Sequence, residues 1–168
     1  MFMKGIKFYM ITGAIFVSVL GTLLHFVYKW SGNNVFIGLF TPINESIWEH
    51  TKLLFFPMLM FSLCLTGKVK AQYPCIGAAL ISGALAGAAS IIALFYTYSG
   101  IIGFNVAVAD ISIFFISVII SFYIVYKIAT TCKDNIYTTL SLTLWIMMIC
   151  LYIIFTVSPP QIPLFISP

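Results

Sequence analysis

Five apolar stretches, at residues 8–28, 43–65, 74–98, 104–128 and 136–157, dominate the sequence. Each is long enough to cross a hydrocarbon core of about 30 Å as a helix, which needs about 20 residues. Lipid offers no partner for backbone N–H and C=O groups, so a crossing segment must satisfy them within itself. Composition agrees: 62% of the 168 residues are hydrophobic and 7% are charged, whereas soluble domains carry about a quarter charged residues. The chain therefore reads as an all-α integral membrane bundle of about five transmembrane helices, one domain over residues 1–168, with no length left for a soluble domain.

Punctuation between the stretches sets their ends. Lys4 and Lys7 precede the first stretch as in a signal peptide, but it is too long and no small-residue cleavage site follows, so it stays as a helix. Lys29 to Asn34 is turn chemistry, and the apolar piece 35–40 is too short to cross. Thr41-Pro42 reads as N-cap and first helical position of the second span, and Pro57 is expected to kink that span. Ala79, Gly83 and Gly87 recur every four residues in the third, a spacing that lets helices pack closely in lipid. That span is expected at the centre of the bundle. Pro159-Pro160 ends the fifth.

All eight basic side chains are lysines. They are scattered between apolar runs and form no patch, which argues against nucleic acid as a partner. Lys4, Lys7, Lys68, Lys70, Lys127 and Lys133 fall on one side of a five-span model and Lys29 on the other, which places the amino end in the cytoplasm and the carboxyl end outside. The four cysteines show no metal or redox spacing and none is placed for an extracytoplasmic disulfide, so they read as small apolar residues.

This orientation gathers the buried polar residues into one layer. His25 lies about one turn before the outer end of the first span, Glu45 to Lys52 occupy the outer turns of the second and Asp110 lies about two turns into the fourth, all within roughly 5–15 Å of the outer surface at 1.5 Å per residue. Ionisable groups are expensive at such depth and point to a site. Two imidazoles and carboxylates suit Zn²⁺ or another divalent cation. His25, His50 and Asp110 are the candidate ligands, Glu49 the candidate base, and Glu45 and Lys52 further candidate catalytic groups. Glu45 and Glu49 share a helical face, and Glu49 can pair with Lys52. Asn44, Ser46, Trp48 and Asn105 are expected to line the site; Trp30 and Trp48 also suit an interfacial aromatic belt.

The run Asn44-Glu45-Ser46-Ile47-Trp48-Glu49-His50-Thr51-Lys52, with Gly21 and His25-Phe26 before it and Pro57 after it, resembles the Asn-Glu-Ser-x-Trp-Glu-His-x-Lys signature of a family of small bacterial multi-pass membrane proteins of unknown function. The resemblance implies residence in the bacterial cytoplasmic membrane and supplies no activity. Relatives carry Pro-Pro and then Leu-Phe-x-Asp-Pro near the end; Pro159-Pro160 and Leu164-Phe165 match, and Ser167 stands where the pattern has Asp.

Three functions suit this layer. A divalent-metal-dependent intramembrane hydrolase would act on a lipid or lipid-linked substrate. A small transporter or proton-conducting protein would use the same carboxylates, although no charge continues into the inner half of the spans. An accessory membrane subunit would use them only to fix its fold. The sequence carries no nucleotide loop, haem motif or nucleophilic serine motif, and leaves substrate and oligomeric state open.

Overall fold

A computed structural model describes residues 2–65, 69, 71–132 and 138–168. Helix α1 spans Phe2–Trp30, α2 is a single turn at Val35–Gly38, α3 spans Ile47–Leu65, α4 Ile76–Ile102, α5 Ala107–Thr131 and α6 Thr138–Val157. A 3₁₀ turn at Pro163–Phe165 follows. Among the described residues, four helices are long and apolar enough to cross a membrane, over Gly5–Trp30, Ile76–Ile102, Ala107–Thr131 and Thr139–Val157. The remaining expected span, the second, corresponds to α3, whose first two turns carry Glu49, His50 and Lys52. Of the lysines that set the expected orientation, Lys68, Lys70 and Lys133 lie outside the described residues, as do residues 136 and 137 at the start of the fifth span.

In the antiparallel bundle the Gly-rich α4 packs on α5, α3 and α6, the central place that its small-residue pattern suggested, and α3 is the most deeply buried helix. Thirteen of the 19 residues of α3 are buried, because α1, α4 and α6 all pack on it. Small residues in α4 do allow close approach. A Cβ at Gly83 would meet Val125 Cγ2 at 2.5 Å and the Ser121 carbonyl at 2.8 Å, and one at Gly87 would collide with Ser121 Oγ. The stripe thus seats α4 against α5, with Leu54 and Met58 of α3 on its flank.

A similar contact joins α1 to α3. Pro57 lies inside α3 and has no N–H to give the carbonyl four residues earlier. That carbonyl belongs to Leu53, and a Cβ on Gly21 would run into it. Glycine at 21 therefore brings α1 against the stretch of α3 that proline leaves without its internal hydrogen bond.

Two expectations about ends are corrected. The second span starts at Ile47 and not at Ile43. Thr41 is no N-cap; its hydroxyl and its N–H both donate to the Ile37 carbonyl, closing α2. The cap is Ser46, whose Oγ accepts the Glu49 N–H at 3.4 Å, while Asn44 Oδ1 accepts the Ser46 N–H at 2.9 Å. Residues 43–46 are thus a turn. The cysteine reading is corrected too: Cys75 and Cys132 form a disulfide. They are 57 residues apart, and only the antiparallel pairing of α4 with α5, one Cys before the first and the other after the second, brings them together.

Replacing Gly83 by Val should lower the unfolding free energy by about 1–3 kcal/mol through overpacking. Gly100 has nothing within 4 Å of its virtual Cβ, so Gly100→Val should stay far closer to wild type. Thermal unfolding of both variants in detergent checks this.

Candidate metal centre

Three chain segments meet at the end of the bundle where α1 finishes and α3 begins. His25 lies one turn above Gly21 on α1, so the close approach at Gly21 carries its imidazole toward α3. Glu45 sits in the turn that Asn44 and Ser46 close, and that turn aims it back at α1. His50 lies one turn into α3, on the side facing His25. Glu45 Oε2 is 3.4 Å from His25 Nε2 and 3.4 Å from His50 Nε2, and the two imidazole centroids are 5.4 Å apart. One ligand atom from each residue falls within 4.8 Å of the others.

Hydrogen bonding makes this arrangement suited to a cation. His50 Nδ1 is 2.9 Å from the Ser46 carbonyl; a carbonyl only accepts, so Nδ1 carries the proton. Neutral His50 then turns the Nε2 lone pair toward a carboxylate oxygen. Two electron-rich atoms held that close need a positive charge between them, either a proton on the ring or a metal ion. Backbone-bonded Nδ1 with free Nε2 is the usual outer support of a metal-ligating histidine. Lys29 Nζ stands 3.9 Å from the other Glu45 oxygen, leaving Oε2 to the imidazoles.

The three side chains sit at one end of a cavity of about 620 Å³ between α1, α3, α4 and α5, within the range that holds small molecules. Its walls are mainly apolar, including Leu53, Ile91, Phe95 and Phe114. Asp110 lines the same cavity, but its carboxylate accepts a short hydrogen bond from Tyr98 Oη and stands outside the cluster of three. Thus Glu45, and not Asp110, joins the two histidines. Tyr98 had no signal in the sequence, because only the α4–α5 hairpin sets it beside Asp110.

Glu49 and Lys52 lie elsewhere. They form an ion pair of 2.6 Å in which Glu49 is 2% and Lys52 0% exposed. Lys52 Nζ also donates to the carbonyls of Gly38 and Thr41 and to Thr156 Oγ1 of α6, and Glu49 Oε2 accepts the Ile43 N–H at 3.0 Å. The expected shared face of Glu45 and Glu49 does not form, because Glu45 precedes the helix. Ser46-x-x-Glu49 has the spacing of a capping box, and that spacing was the sequence signal for the later helix start.

Of the expected lining residues, Asn44 and Ser46 shape the turn through their hydrogen bonds, and Asn105 is exposed in the loop before α5. Trp48 points away from the histidines and stacks among Tyr152, Phe155 and Phe165 at centroid distances of 4.9, 5.5 and 5.1 Å. Through Phe165 this cluster pins the tail beyond α6, and Pro168 reaches the cavity wall.

Residues 2–167 match the profile of a family of unknown function, DUF6512. The chain belongs to that family. No curated protein and no solved structure matches it.

Replacing Lys52 by Met should strand the buried Glu49 charge and cost about 3–5 kcal/mol of stability. The double variant Glu49→Gln/Lys52→Met should recover part of that loss, because no unpaired charge remains. Denaturant unfolding of the two proteins in detergent reads the difference.

Proposed function

We propose that this DUF6512 chain is a divalent-metal-dependent hydrolase of the bacterial cytoplasmic membrane, acting on an ester or amide bond of a membrane-borne amphiphile. The observation that carries the reading is the convergence of His25, Glu45 and His50 at the end of an apolar cavity. Two histidines and one glutamate are a ligand set used by catalytic zinc, which keeps its fourth position for water. A metal bound there would acidify that water to near neutral pH and polarise the carbonyl it attacks.

The residues of the chain divide the remaining work. His25 Nε2, His50 Nε2 and Glu45 Oε2 would hold the ion, with the Ser46 carbonyl fixing the His50 ring. Asp110, held by Tyr98, is the second carboxylate of the cavity and is the group to pass the proton of the attacking water to the leaving oxygen or nitrogen. It takes the role that the sequence suggested for Glu49, which is spent on Lys52. Apolar walls hold the hydrocarbon part of the substrate and keep bulk water away.

The cavity rim favours entry from the bilayer. Thr22 and Phe26 on α1 face Ala107, Ile111 and Phe115 on α5; all five line the cavity and are exposed on the outer surface of the bundle. On a membrane-spanning helix such a surface faces lipid.

Protein purified without chelators should contain about one equivalent of divalent metal, consistent with a single three-ligand site. Elemental analysis of His25→Ala and His50→Ala should show it lost, whereas Asp110→Asn should retain it and lose hydrolysis of a fluorogenic acyl-ester lipid. A metal-free wild-type protein would sink the reading.

A further inference from the structure

We infer that the Glu49–Lys52–Thr156 network is a positioning device for the metal centre: it holds the turn that carries Glu45 at ligand distance from the two histidines. The inference rests on the metal reading above and assigns these three residues a role in the affinity of that site.

Residues 39–46 are not helical, yet Thr41, Pro42 and Ser46 are buried, and buried non-helical backbone needs partners from the rest of the protein. Glu45, the one ligand not carried on a helix, depends on this stretch for its position. Three backbone groups just ahead of it are taken up by the ion pair. Lys52 Nζ holds the carbonyls of Gly38 at 3.1 Å and Thr41 at 3.5 Å, and Glu49 Oε2 holds the Ile43 N–H at 3.0 Å. Downstream, the Asn44–Ser46 hydrogen bond and the Ser46 cap fix the turn to α3. Glu45 is therefore clamped from both sides by the first two turns of the helix that also carries His50.

Apolar residues would fill the same space without the desolvation penalty of a buried ion pair. They would leave those three backbone groups without partners. What the charged pair adds is the ability to hold a segment that cannot hold itself. Thr156 extends the clamp to α6, because its Oγ1 is 2.6 Å from Lys52 Nζ and 3.4 Å from Glu49 Oε1. None of the three residues touches the cavity, so none is catalytic. They act through Glu45, as outer residues act on metal ligands elsewhere, where their loss costs about 10–100-fold in metal affinity.

The test titrates Zn²⁺ into the chelator-stripped full chain in detergent micelles, for wild type, Glu49→Gln, Thr156→Val and Gly83→Val. The last variant is destabilised through helix packing far from the turn and serves as the comparison for a merely structural effect. A Kd weakened about 10–100-fold in Glu49→Gln, to a smaller degree in Thr156→Val, and unchanged in folded Gly83→Val is the expected result. Should Glu49→Gln not fold, Thr156→Val, which keeps both charges, still reads the clamp. Wild-type affinity in both clamp variants would overturn the inference and leave the metal site standing. Absence of zinc binding by the wild type would overturn the metal reading and this inference with it.

Discussion

The buried Glu49–Lys52 ion pair is the interaction on which the rest of the site end depends. Two charges removed from water at the mouth of a membrane bundle are stable only if every remaining donor and acceptor finds a partner. Here the pair is well supplied: Lys52 reaches two carbonyls and the Thr156 hydroxyl, and Glu49 Oε2 accepts a backbone N–H, while the Thr156 hydroxyl, which donates to the Tyr152 carbonyl at 2.6 Å, lies 3.4 Å from Glu49 Oε1. The pair thereby ties α2, the following turn, α3 and α6 into one unit. This network accounts for the deep burial of α3, since a helix whose first turns carry such groups cannot face lipid.

Away from that end, cohesion has a different source. Lipid tails are as apolar as leucine side chains, so burial of apolar surface gives little drive for helices to associate, and close van der Waals contact takes its place. Gly83 and Gly87 seat α4 on α5, and Gly21 seats α1 on the Leu53 carbonyl freed by Pro57. The last contact links packing to chemistry, because the same approach that joins the helices sets His25 one turn above it within reach of Glu45 and His50. Beside these contacts the helices part far enough for the apolar cavity, and Asp110 with Tyr98 gives that cavity a second polar point.

Much of this was legible in the chain itself. Apolar length identified the four long spans, and the cost of burying ionisable groups singled out the layer of His25, His50, Glu45, Glu49, Lys52 and Asp110. Their division of labour was not legible. Glu45 and Glu49 are four residues apart, a spacing that on a helix means one face, and only the Ser46 cap, which starts the helix after Glu45, sends them to opposite sides. The same spacing argument could not place Asp110, whose partner Tyr98 lies on another helix, nor pair Cys75 with Cys132.

Sequence alone determined that this protein is a helical membrane bundle with a polar layer near one end, because apolar runs of about 20 residues fit helices that satisfy their own backbone in hydrocarbon, and hydrocarbon penalises every unpaired charge. Tertiary structure decided which of those charges meet. Contacts between residues such as His25 and Glu45, or Lys52 and Thr156, depend on helix ends, turns and packing distances summed over many segments, and no local pattern in the chain encodes them.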